Sequence, residues 1–242
     1  MIITITNQKG GVGKTTTAAA LAQAGVYKGK KVLAIDLDPQ QNLTFALDAA
    51  GPGPGSKELL DGMPLKEIIR RSPQGMFVCP SSWDLSTETT GPGTARRLQN
   101  ALELARWSFD LVVIDTPPSA GELAYNGIQA AEAIIIPLLA DSYSAQALRQ
   151  IMDTVRVFRT TNRKLKTVYG CITQFDGRST IARQMAEMIR EAEATEGVVD
   201  LGTVRAAVAV KEACALQQSL FTYAKRSKPA EDYLRIFDQL NI

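Results

Sequence analysis

Two lysines five positions apart, Lys9 and Lys14, bracket the turn Lys9-Gly10-Gly11-Val12-Gly13-Lys14-Thr15-Thr16 near the start of the sequence. Glycines without a Cβ let consecutive peptide N–H groups point into one concavity, which suits a chain of phosphates. Lys14 would place a full charge on the β/γ-phosphates, and the Thr15 hydroxyl is of a type that ligates Mg²⁺. Two further apolar runs each end in carboxylate: Lys31–Ile35 leads into Asp36-Leu37-Asp38-Pro39-Gln40, and Leu111–Ile114 leads into Asp115-Thr116-Pro117-Pro118. A buried strand that delivers acid at its C-terminal end is where open parallel sheets keep ligand chemistry.

The elements that must hold these groups are legible nearby. Met1 to Ile5 alternates as a strand, and Thr15 to Val26 has helical character. Strand, Gly-rich turn and helix in that order form the phosphate-loop context, with the helix N-terminus aimed at the anion. The pattern departs from G-x-x-x-x-G-K-[ST], because its first glycine would fall at Gln8. Alone, the Asp36 element reads better as a strand-end turn built from Asp and Pro, and an apolar strand ending in Asp115 is weak evidence by itself. As an ordered set of three, they favour nucleotide chemistry.

This K-G-G-V-G-K-T-T turn is the deviant Walker A form, and the sequence resembles the ParA/MinD group of dimeric ATPases, most closely the short Soj-like ParA proteins. The resemblance spans nearly the full length. It is specific at 7–16, 36–40 and 111–119, and looser after residue 170. It implies an α/β P-loop fold of three layers, a mostly parallel sheet with helices on both faces, and one domain over 1–242. It implies that Lys9 reaches across a nucleotide-sandwich homodimer to the partner's ATP, with Gly10, Gly11, Val12, Gly13, Lys14, Thr15 and Thr16 around the phosphates. Thr15, Asp36 and Asp115 would stand near Mg²⁺, Asp38 would position the attacking water, and Thr116–Ser119 would sense the γ-phosphate. Thr173-Gln174-Phe175-Asp176 matches the family's T-x-[YF]-D turn near adenine, making Gln174 and Asp176 base-site candidates. Arg205 stands where the family's I-P-R stretch has its proline, and Cys214 replaces another proline after Glu212-Ala213. Lys225-Arg226-Ser227-Lys228 resembles the P-R-S-[KR] segment. With Arg178 and Arg183 it forms the candidate contact to nonspecific DNA, while the bland reading is a solvated turn.

The rest of the chain is read as support. Gly51-Pro52-Gly53-Pro54-Gly55 is an exposed loop, flanked by short helices at Lys57–Leu60 and Leu65–Arg71. A strand is expected at Met76–Cys79, a flexible stretch at Thr89–Thr94 and a helix at Ala95–Trp107, with Trp107 and Phe109 as core anchors. Strands follow at Ala133–Leu139 and Lys166–Thr173, and helices at Asp141–Arg159 and Ala230–Leu240. The Asp141 helix carries Ala147, Leu148, Ile151, Val155 and Phe158 on one face; the family uses this region in dimer contacts, and core packing explains it equally well.

Composition sets limits. The 242 residues carry a formal charge of +2, so nucleic-acid contact needs a local patch. The sequence has no histidine, which removes His-based acid–base chemistry and His metal sites. Cys79, Cys171 and Cys214 lack C-x-x-C spacing and read as reduced thiols rather than a cluster or disulfide framework. No apolar run reaches membrane length, and the last helix carries Glu231, Asp232 and Asp238 against one arginine, unlike a membrane anchor. A cytoplasmic, nucleoid-associated protein without an N-terminal helix-turn-helix is expected. The resemblance thus implies an ATPase of DNA partition with a ParB-like partner. Two alternatives stay open: a relative that positions a non-DNA cargo, and a regulatory scaffold with negligible hydrolysis.

Overall fold

The structure, a computed structural model, describes residues 1–86, 94–103, 108–141 and 143–242. The strands are β1 Ile2–Ile5, β2 Val32–Asp36, β3 Arg70–Arg71, β4 Phe77–Cys79, β5 Leu111–Asp115, β6 Ala133–Leu138, β7 Thr167–Phe175 and β8 Val198–Arg205. The helices are α1 Lys14–Tyr27, α2 Asn42–Ala46, α3 Ser56–Leu60, α4 Leu65–Ile68, α5 Arg97–Glu103, α6 Glu122–Ala130, α7 Ser144–Thr161, α8 Thr180–Glu196, α9 Val208–Ala215, α10 Leu220–Tyr223 and α11 Lys228–Gln239.

All eight strands join one sheet in the order β3-β4-β2-β5-β1-β6-β7-β8. Every pairing is parallel except β3 with β4 at one edge. Successive side chains alternate across the sheet, so each strand feeds two cores. Ile3, Ile5, Val113 and Ile135 face α1 and α11 on one side. Ile2, Val112 and Ile114 face α3 to α6 on the other, where Ile134, Ile136 and Val168 meet α7 and α8. Both faces covered is why the central strands read as continuous apolar runs. The expected α/β fold with helices on both faces is the observed one.

Helix α1 is wrapped by protein, and its Ala18, Ala19, Ala20, Ala22 and Ala24 are buried. Small side chains let it lie close to the sheet and beneath α11. Helix α6 comes equally close on the opposite face. A Cβ on Gly127 would stand 2.9 Å from the Thr116 methyl and 3.0 Å from that of Thr4.

Three expectations need correction. The helix expected at Leu65–Arg71 ends at Ile68, because Arg70 and Arg71 pair antiparallel with Val78 and Phe77. The Arg70 guanidinium then donates to the carbonyls of Ala49, Gly51 and Pro54, which pins the Pro/Gly loop against the sheet edge. The helix expected from Asp141 begins at Ser144, leaving Asp141 free to cap the turn before it. The last helix begins at Lys228, two residues earlier than expected, with the Ser227 hydroxyl accepting from the Ala230 N–H. Phe109 packs edge-on against Phe77, in keeping with an anchor role. Trp107 and all of Thr89–Thr94 but its last residue lie outside the described residues.

Candidate functional site

The loop between β1 and α1 has its carbonyls engaged and its amides free. Gly11 and Gly13 lie at φ +74° and +85°, a region glycine enters at no steric cost. The Lys14 ammonium donates to the Lys9 carbonyl at 2.9 Å, the Thr17 N–H to the Gly13 carbonyl at 2.9 Å. The Gln174 amide donates to the Gly11 carbonyl at 3.1 Å and the Thr173 hydroxyl to the Val12 carbonyl at 2.7 Å. Among the described residues, the N–H groups of residues 10–16 find no acceptor in the protein. A row of unpaired amides at the start of a 14-residue helix is an anion site. Lys14 is buried beside it; desolvation lowers its pKa, against the pull of Asp115 and Asp38.

Asn7, which the sequence reading did not single out, anchors the loop. Its amide donates to the Pro137 carbonyl at 2.7 Å, and its side-chain oxygen accepts from the Lys9 N–H at 2.9 Å. Its place just before the motif was the available signal.

The acids converge beneath the loop. Asp36 and Asp115 face each other across paired strands β2 and β5. Asp36 is well partnered: it accepts from the Thr44 N–H at 2.8 Å, the Thr44 hydroxyl at 2.7 Å and the Asp38 N–H at 3.0 Å. Burial still pushes its pKa up to about 6. Asp115 is fully buried, and neither carboxylate oxygen has a hydrogen-bond partner. Its pKa is raised by desolvation first and Asp36 second; the nearby Thr15 hydroxyl lowers it as a hydrogen-bond donor would, although the pair falls outside hydrogen-bond geometry. Asp38 is buried, and its carboxylate accepts from the Gln40 N–H at 3.0 Å. Of these three acids, Asp115 and Asp38 act on the Lys14 ammonium. An orphaned, buried oxygen ligand beside a hydroxyl and an anion nest fits a hard divalent cation.

Beside the nest opens a cavity of about 360 Å³, walled by Gly13, Thr16, Gln174, Arg205, Val208 and Tyr233. Of the base-site candidates, Gln174 and Arg205 line it. Asp176 is not brought there: its carboxylate holds Arg178 in a two-pronged pair, which keeps its pKa down to about 2. The Arg205 guanidinium turns onto buried Asp232, with both contacts at 2.8 Å, and ties β8 to α11. Lys211 and Tyr233 also line the cavity and carried no motif signal.

The Lys9 side chain is engaged by residues that follow β6. Its ammonium is bonded to Asp141 and stands 5.6 Å from the centre of the exposed Tyr143 ring. Burial works to raise the pKa of Asp141, but Lys9 with the Tyr143 N–H and the Ser144 hydroxyl outweighs it and leaves the carboxyl low. The basic candidates Arg178, Arg183, Lys225, Arg226 and Lys228 are all exposed. Phe175 pairs with Arg205 across β7 and β8, and Arg205 donates to the Lys228 carbonyl at 3.3 Å. Arg178 and the Lys225–Lys228 turn therefore flank one end of the sheet.

A family model described as an AAA domain matches residues 1–167. The chromosome-partitioning ATPase Soj of Thermus thermophilus is 36% identical over 192 residues, covering 78% of this chain and 75% of the relative. The chain belongs to the ParA/MinD family. Another ParA/MinD relative, the sporulation initiation inhibitor protein Soj of Bacillus subtilis, is 33% identical over 245 residues, covering 96% and 95%. A solved structure titled as a Mycobacterium smegmatis cobyrinic acid a,c-diamide synthase with bound ADP and magnesium superposes with a TM-score of 0.83 at 28% identity, covering 99% and 93%. Among the described residues, no helix is long and apolar enough to cross a membrane.

Proposed function

We propose that this chain is a Mg²⁺-dependent ATPase that acts as one domain and that ATP joins two copies into a dimer holding nonspecific DNA. The observation that carries the reading is the nest: amides 10–16 without acceptors, closed by buried Lys14 and underlain by the unpartnered Asp115. The related structure solved with ADP and magnesium supports the choice of ligand. Thr15 and Asp115 would hold Mg²⁺, with Asp36 behind them, since its own oxygens are spent on Thr44 and Asp38. The ion supplies charge neutralisation between phosphate oxygens.

The residues of the chain do the rest by position and charge. Nest amides and Lys14 hold the phosphates, and buried Asp38 orients the attacking water. The cavity between α1, β8 and α11 takes the base. Lys9 lies on the outer rim of the nest, where a second protomer's triphosphate is within its reach once Asp141 releases it. No covalent enzyme intermediate is needed, because catalysis is electrostatic and orienting. Lys225, Arg226 and Lys228, with Arg178 and Arg183, neutralise DNA phosphates without reading sequence. Relatives named for chromosome partitioning support DNA segregation as the task, with a ParB-like partner that speeds turnover on the nucleoid.

The test is retention on nonspecific duplex DNA with ATP, ADP or no nucleotide across a salt series. Wild type is expected to bind with ATP alone. Lys225→Glu, Arg226→Glu and Lys228→Glu together should abolish binding at unchanged ATP affinity. Unaffected ATP-dependent binding in the triple variant would remove the patch assignment.

A further inference from the structure

The end of β7 does something that a base-contacting turn does not require. Thr173 and Gln174 are sequence neighbours, yet both side chains reach the same loop, bonding the Val12 and Gly11 carbonyls. In a regular strand they would point to opposite faces. Here the β7–β8 register shifts between Ile172 and Phe175, and Gln174 sits at φ +52°. That conformation is unfavourable for a residue with a Cβ, and the bulge it makes turns both side chains to one side.

A peptide unit is planar and trans, so its C=O and N–H point in opposite directions. Among the described residues there is no cis peptide bond. The carbonyl of Gly11 shares a plane with the N–H of Val12, and the carbonyl of Val12 with the N–H of Gly13. Anchoring those two carbonyls on β7 therefore aims those two amides the other way, into the nest.

We propose that Thr173 and Gln174 are positioning residues that preset the phosphate nest, and that Gln174 serves the triphosphate rather than the base. The proposal rests on the nucleotide reading above. Preset amides bind anions better because the loop has less order to gain on binding.

The test compares wild type with Gln174→Gly and Thr173→Val. Glycine accepts the positive φ without strain, so that variant removes the amide donor together with the rest of the side chain at no steric cost; valine keeps the branched shape and loses the hydroxyl donor. Melting temperature of the nucleotide-free protein confirms folding. Affinity is measured for ATP, GTP and inorganic tripolyphosphate, which has no base. Each variant should weaken all three by the same factor, about five- to tenfold, as expected for one net hydrogen bond. The ATP to GTP ratio should stay at the wild-type value, and in Gln174→Gly amide exchange at Val12 and Gly13 should change. A loss for ATP with tripolyphosphate unaffected, or a shifted ATP to GTP ratio, would make Gln174 a base contact and overturn the proposal. Unchanged affinities in both variants would overturn it too while leaving the nucleotide site standing. A wild-type protein that binds none of the three ligands would instead remove the nucleotide reading on which it rests.

Discussion

Replacing Asp115 with asparagine should stabilise the nucleotide-free protein while disabling it. Asp115 is fully buried, both its oxygens lack partners, and Asp36 faces it in register on β2. Asp36 gives the scale: burial lifts its pKa from 3.8 to about 6, which corresponds to about 3 kcal/mol of folding free energy lost at neutral pH. Lys14 offsets part of this, but Asp115 and Asp38 share that single ammonium, and Asp38 remains for Lys14 after the change. Asp115→Asn removes one buried charge and its repulsion on Asp36, so a gain of about 1–3 kcal/mol is expected from that scale. The assay is urea unfolding at several pH values without Mg²⁺ or nucleotide.

The sign follows from the raised pKa. Between about pH 4 and 6 folded Asp36 holds more protons than unfolded Asp36, so its contribution to stability is present at low pH and is lost as pH rises through 6, and the raised pKa of Asp115 acts in the same direction. Asp141 and Asp176 have lowered values and act oppositely, so the informative curve is variant minus wild type. That difference should grow from pH 4 to 7. In the same variant, Mg²⁺-dependent ATP hydrolysis should vanish. A variant no more stable than wild type at pH 7, with a flat difference curve, would show that Asp115 carries no desolvation penalty and would sink the reasoning.

Other outcomes follow from single contacts. Lys14→Gln should weaken ATP at least about 100-fold in equilibrium binding, because a buried charge on the phosphates is worth roughly 3 kcal/mol. Lys9→Ala should leave ATP affinity of the single protomer within a few-fold and abolish the ATP-dependent dimer in light scattering; Asp141→Asn, which frees Lys9, should favour the dimer. Gly127→Ala drives a methyl to within 3.0 Å of Thr4 and Thr116 and should cost about 1–3 kcal/mol in urea unfolding. Mg²⁺-dependent ATP binding should weaken as pH falls, since protons on Asp115, whose pKa burial raises, compete with the ion; an affinity flat from pH 7.5 to 5.5 would contradict this.

The residues of the candidate phosphate site were legible because their signals are local. A Gly-rich turn needs neighbours in sequence to shape it, and strands buried on both faces announce themselves as apolar runs ending in Asp36 and Asp115. The α/β order of elements follows from the same runs. Less visible was the far edge. Strand β8 is interrupted by Asp200 and Gly202, and α8 buries only Ala182, Ile189 and Ala192, so neither pattern rises above a surface segment. The helix forecast through Arg71 failed because pairing with β4 overrode local propensity.

Sequence by itself determined the identity of the nest, its lysines and the acids beneath it, since each is fixed by a few consecutive residues. Only the tertiary structure decided who holds whom: that Asp36 is spent on Thr44 while Asp115 has no partner, that Arg205 turns to Asp232, that Lys9 rests on Asp141, and that Thr173 and Gln174 grip the loop. Those partners lie far apart along the chain, and what joins them is strand order and a bulge, neither of which any short stretch of residues encodes.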